Sequence, residues 1–299
     1  MKAWQKIPVI VRALFVGTLV SAIGHQPPGV LYLANLKIRP AIPWSVPFVV
    51  AYLWFFWQYA QGRWWPRSTA EARRRDLRAR PLSPEVWRWS LIAGGLWMSS
   101  VGALHYVLAY VERPRFDGFY RLFEMNIPPV TLIAILVVAS AVAGIVEEAA
   151  FRGYMQTPIE RRYGPALAIL VVSAVFVLVH FGDINIPMSA TRVFFILAAS
   201  VNYGLLTHFS GSILPGMVLH SAGDAFGVGL LWLFWMVAGR PASTSAVGLS
   251  AAAADPTFWL YCAEALILGA ASAWGFVKLA NAGSLHGPQA APSGATDRP

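Results

Sequence analysis

Four places in this 299-residue chain set ionisable side chains within long apolar runs. Such groups are costly in hydrocarbon, and by default they mark function. The first is Val146-Glu147-Glu148-Ala149-Ala150-Phe151-Arg152-Gly153, which closes an apolar run. Glu148 and Arg152 stand four apart, so on a helix they share a face and pair, as a helix-surface ion pair. Glu147 is turned about 100° away from Glu148. One carboxylate is then anchored and the other is free, unless the whole group is an ordinary charge cluster at the headgroups. The second place is Phe176-Val177-Leu178-Val179-His180. A single histidine near a helix end suits a structural role as well as a catalytic one. The third is His220-Ser221-Ala222-Gly223-Asp224, where His220 and Asp224 share a helix face. They either point together into a cavity or form a buried hydrogen-bonded pair. The fourth, Glu264 near Cys262, has no partner in sequence and reads as structural, as do His25, His105 and His208.

A carboxylate and imidazoles brought together can activate a water by general base catalysis. Glu147, His180, His220 and Asp224 are also competent zinc ligands, although no HExxH is present. Cys262 is the only cysteine, so an intrachain disulfide is excluded. The turn signal Gly164-Pro165 ties two of the places together. Glu147 lies 17 residues before Gly164 and His180 lies 16 after it, so an antiparallel hairpin sets them level. That arrangement requires the helix of Glu147 to continue past Arg152, through Gln156 and Glu160, as a polar extension.

The elements that must carry these groups are membrane helices. Hydrophobic residues make up 57% of the chain and charged residues 12%, against roughly 25% charged in soluble domains. Runs long enough to span a bilayer predict an all-α polytopic membrane protein of about eight transmembrane helices. They fall near 8–24, 43–60, 88–110, 127–151, 165–181, 191–209, 212–237 and 256–279. Residues 1–283 read as a single transmembrane domain and 284–299 as a disordered tail rich in Pro, Gly, Ala and Ser. The net charge of +9 comes from arginines lying between apolar runs. This placement suits anionic lipid headgroups rather than nucleic acid. The loop from Arg63 to Arg88 carries eight of them, more than any other, which predicts a multi-pass protein of the cell membrane with that loop and both termini cytoplasmic.

Three motifs in order, Glu147-Glu148-x-x-x-Arg152, Phe176-x-x-x-His180 and His220-x-x-x-Asp224, resemble those of the CPBP family of intramembrane proteases. That family includes the CAAX prenyl endopeptidases and relatives linked to bacteriocin processing and immunity. The resemblance covers about residues 127–238. It implies a membrane-associated peptide or protein as substrate. It also implies Glu147 as general base on a water, His180 holding that water, and His220 with Asp224 on the oxyanion side. Glu148, Arg152 and Phe176 support the site. Asp224 stands where the prenyl endopeptidases typically carry Asn. The glutamate-dependent reading uses no bound metal or other cofactor; a zinc held by Glu147, His180, His220 and Asp224 is the alternative. A non-proteolytic immunity or binding protein of the same fold is a second alternative. A transporter is disfavoured because the polar groups concentrate on three helices.

Overall fold

A computed structural model describes residues 4, 6–111, 127–181, 189–238 and 248–285. Among these residues the regular structure is entirely helical. We number the helices α1 (Val9–Ile38), α2 (Ser45–Ala60), α3 (Ala70–Leu77), α4 (Pro84–Val111), α5 (Pro129–Glu147), α6 (Thr157–Tyr163), α7 (Pro165–His180), α8 (Ala190–Ser210), α9 (Leu214–Ala238), α10 (Leu249–Ala253) and α11 (Pro256–Leu285). Between α5 and α6 the chain stays helical but widens into a π-helix over Glu148–Gln156. A helix stands at each of the eight expected places. By length and composition, five helical stretches among the described residues can cross a membrane: Val9–Ile38, Pro84–Leu108, Pro129–Tyr163, Ala190–Ser210 and Pro256–Ser284. The shorter α7 is apolar as well. The chain is therefore an all-α polytopic membrane protein.

The first helix differs most from expectation. It was expected to stop near residue 24, before Pro27-Pro28, yet α1 runs through both prolines to Ile38. Pro27 has no N–H, which frees the carbonyl of Ile23 four residues earlier. The Tyr52 hydroxyl of α2 donates to that carbonyl. In hydrocarbon a freed backbone group must find a partner, and here a neighbouring helix supplies it. At the other end, Ser284 and Leu285 close α11 instead of opening the tail. The rest of the tail, 286–299, and the basic pair Arg113 and Arg115 lie outside the described residues.

The π-helix sits at the centre, and each of its nine residues is buried. One apolar cluster joins it to α1, α6, α7 and α8 through Ala13, Phe151, Ile159, Val172, Phe176 and Ile196. A second cluster, with Val49, Leu53, Val146, Ala149 and Ile213, ties it to α2, α5 and the start of α9. The expected polar extension past Arg152 is thus real as a helix, but it is enclosed by protein. The Thr157 hydroxyl donates back to the Arg152 carbonyl, closing the wide turn. The arginine-rich segment adds to the enclosure. Arg78 pairs with Glu160 at 2.9 Å and donates to the Thr207 carbonyl, while Arg161 reaches Asp76 at 2.8 Å.

Helices α5 and α9 meet at Gly144, where an added Cβ would lie 2.1 Å from Ser221 Oγ and 2.8 Å from the Met217 carbonyl oxygen. Gly144→Val therefore forces apart the helices bearing Glu147 and His220. We expect a loss of about 1–3 kcal/mol, as overpacked sites give, read as a lower thermal midpoint in detergent. Gly102→Ala, where nothing lies within 4 Å of the new Cβ, should not lower it. An unchanged midpoint for Gly144→Val would contradict the close contact.

Candidate active site

Glu147 and Glu148 lie where α5 passes into the π-helix, and their environments differ. Glu148 is fully buried. Its Oε1 stands 3.2 Å from the Arg152 guanidinium and accepts from His220 Nδ1 at 2.9 Å. Arg152, also fully buried, donates to Ser200 Oγ at 2.8 Å and to the Ser200 carbonyl at 3.1 Å. Its guanidinium lies 4.7 Å over the Phe176 ring and 5.3 Å over that of Tyr203. The pair expected on the helix surface is therefore a core pair, because α1, α3, α7 and α8 all cover the π-helix. A buried pair broken on one side leaves an uncompensated charge, so Arg152 bears on stability as well as on placement.

The two oxygens of Glu147 are used unequally. Oε1 lies 3.3 Å from His25 Nε2. Oε2 lies 3.7 Å from His220 Nε2 and is buried without a hydrogen-bond partner among the described residues. Buried polar atoms of this kind are normally satisfied, often by an ordered water. His220 Nε2 also stands 3.7 Å from Asp224 Oδ2, and its ring stacks on Tyr203 at 4.8 Å. Asp224 is the most open of the group, with 45% of its side chain exposed. His180 donates from Nδ1 to the Phe176 carbonyl at 2.7 Å. It stands within electrostatic range of Glu147 and Asp224. Phe176 lies between the two histidines, 4.6 Å from the His180 ring and 6.3 Å from the His220 ring.

Three histidines share one arrangement. Nδ1 of His25 faces the Ser21 carbonyl at 2.9 Å, Nδ1 of His180 faces the Phe176 carbonyl, and Nδ1 of His220 faces the Glu148 carboxylate. Each acceptor calls for a proton on Nδ1. Nε2 is then a lone-pair acceptor in the neutral ring and a donor only when the ring carries a second proton. Among the described residues no three His, Cys, Asp or Glu side chains converge as a metal ion would require. His220 Nδ1 and Glu147 Oε1 are each turned to another protein group.

His220 Nε2 thus faces both Glu147 Oε2 and Asp224 Oδ2 at 3.7 Å, Glu148 holds its Nδ1, and Phe176 lies between its ring and that of His180. Three further residues had gone unrecognised. His25 had read as structural. Ser200 and Tyr203 lie on α8, a helix that bears none of the three motifs. The available signal was a polar stripe at Ser200, Tyr203-Gly204 and Thr207 with helical spacing, in which Ser200, Tyr203 and Thr207 are buried. Glu264 lies on an exposed face of α11, away from this group.

Residues 129–226 match the family model described as type II CAAX prenyl endopeptidase Rce1-like. No curated protein and no solved structure gives a match. The matched stretch runs from the first residue of α5 to Phe226 on α9, and so contains all three motifs, Ser200 and Tyr203, but not His25. At the level of the family, the match implies a CAAX-type intramembrane protease with peptidase activity. Over residues 129–226 the chain is thus similar to the Rce1-like proteases of the CPBP family.

Proposed function

We propose that this protein is an intramembrane endopeptidase that hydrolyses a peptide bond in a membrane-associated peptide or protein, using a water activated by Glu147 with His220 on the oxyanion side. The observation that carries this reading is the unsatisfied Glu147 Oε2 facing His220 Nε2 across 3.7 Å. A water beside that oxygen is within reach of a general base. Glu147 Oε2 takes a proton from the water as its oxygen bonds to the scissile carbonyl carbon. The carbonyl oxygen takes up the negative charge. His220, its Nδ1–H engaged by Glu148, carries a second proton on Nε2 and donates it as a hydrogen bond to that oxyanion. Stabilisation of this kind contributes roughly 3–4 kcal/mol. The C–N bond then breaks, and the proton on Glu147 passes to the leaving nitrogen. The products are a carboxylic acid, which then ionises, and an amine. His180 holds the water on its other side, and Asp224 orients His220.

This reading uses no metal. We further propose that the arginine-rich loop and both termini face the cytoplasm of a cell membrane. The clustering of Arg63, Arg67, Arg73, Arg74, Arg75, Arg78, Arg80 and Arg88 between apolar helices supports this.

Cleavage of a lipid-anchored, internally quenched peptide by the reconstituted protein tests the function. Glu147→Gln keeps shape and removes the base; it should lose at least about 10²–10⁴-fold in rate, the usual contribution of such a group, and stay folded. His180→Ala should be nearly as severe and Asp224→Asn mild. Undiminished cleavage by purified Glu147→Gln would overturn the assignment. Dialysis against EDTA should leave the rate unchanged; loss on dialysis with return on added zinc would establish the metal-dependent alternative. Arg152→Met should lower stability by about 3–5 kcal/mol, as single-sided loss of a buried pair does. An unaltered melting midpoint would contradict that role for the pair. Reporter fusions in the Arg63–Arg88 loop should give cytoplasmic signals, and external signals would reverse the orientation.

A further inference from the structure

We propose that His25 is a positioning residue for Glu147, holding Oε1 so that Oε2 is turned into the gap shared with His220. The proposal rests on the proteolytic reading above, and it adds to the site a residue from outside the matched stretch, on the first helix. His25 Nε2 lies 3.3 Å from Glu147 Oε1. The ring is fixed on its other side, with Nδ1 2.9 Å from the Ser21 carbonyl and 3.5 Å from Ser21 Oγ. With Nδ1–H given to Ser21, contact between Nε2 and a carboxylate oxygen requires one proton between them, and the role of Glu147 as base puts that proton on the ring. That proton ties Oε1 and leaves Oε2, the oxygen without a partner, as the one that meets the water.

The backbone around His25 is fitted to this task. The preceding residue, Gly24, lies directly against Val146, the residue before Glu147. A Cβ on Gly24 would stand 2.2 Å from a Val146 methyl. This close approach brings His25 and Glu147 together one residue further along each chain. The next turn is fixed as well, because Tyr52 occupies the Ile23 carbonyl that Pro27 frees. Such a junction suits a side chain whose placement matters to a fraction of an ångström; misplacing a reacting group by about 1 Å can lower a rate by about 10²-fold.

The test compares His25→Ala and His25→Gln in the full-length, reconstituted protein. The amide of Gln reaches the region of Nε2 and donates without titrating. We expect His25→Ala to lower kcat about 10- to 100-fold with KM unchanged, and His25→Gln to recover most of the loss. A merely structural role would instead lower the melting midpoint of both variants and would not divide kcat from KM. A second readout does not depend on turnover: the carboxylate stretching band of Glu147, identified by infrared difference against Glu147→Gln, should shift in His25→Ala. An unshifted band, unchanged kcat, or a change confined to KM would overturn the proposal. If the wild type cleaves no lipid-anchored peptide while the band still shifts, the proteolytic reading fails and the placement of Glu147 by His25 stands.

Discussion

The buried ion pair between Glu148 and Arg152 is the constraint on which the rest of the site depends. Two charges removed from both water and lipid are stable only when their remaining donors and acceptors are met. Here that demand recruits neighbours from three helices, while Glu148 Oε2 and Arg152 Nε have no hydrogen-bond partner among the described residues. Arg152 calls on Ser200 from α8 and lies over Phe176 from α7. Glu148 calls on His220 from α9. Each partner is thereby held in one orientation, and together these orientations define the gap beside Glu147. The pair thus builds the site without taking part in the proposed chemistry.

The π-helix begins at Glu148, directly after Glu147. A π segment is unusual and often lies at functional sites. In an ordinary α-helix the adjacent Glu147 and Glu148 would diverge by about 100°. At the entry to the wider turn both reach His220, one to each ring nitrogen. One histidine therefore links the anchored carboxylate to the free one. This linkage underlies the division of labour that we propose between an anchored carboxylate and a working base.

Much of this was legible in the sequence, for identifiable reasons. Charged residues in apolar runs are rare enough to stand out, so Glu147, Glu148, Arg152, His220 and Asp224 could be singled out, and the spacing of four paired Glu148 with Arg152. The helices were found because bilayer thickness fixes the length of an apolar run. What could not be read were contacts between distant segments. His25 looked structural because its partner lies 122 residues away in sequence. Tyr203 carries no charge to mark it. The prolines after His25 suggested a helix end because the hydroxyl that satisfies the freed carbonyl belongs to Tyr52, on another helix. The burial of the Glu148–Arg152 pair was hidden for the same reason, since helical spacing gives a shared face but not what covers it.

The central claim is that Glu147 activates the water while His220 stabilises the oxyanion formed in the same step. Groups that act as a unit are strongly non-additive when removed. The most direct measurement is therefore a double-mutant cycle on the turnover of a lipid-anchored peptide, with Glu147→Gln, His220→Asn and the two combined in folded, reconstituted protein. The account predicts that the double variant is scarcely slower than the slower single variant. Losses that multiply, so that the double variant falls by the product of the two single effects, would contradict it.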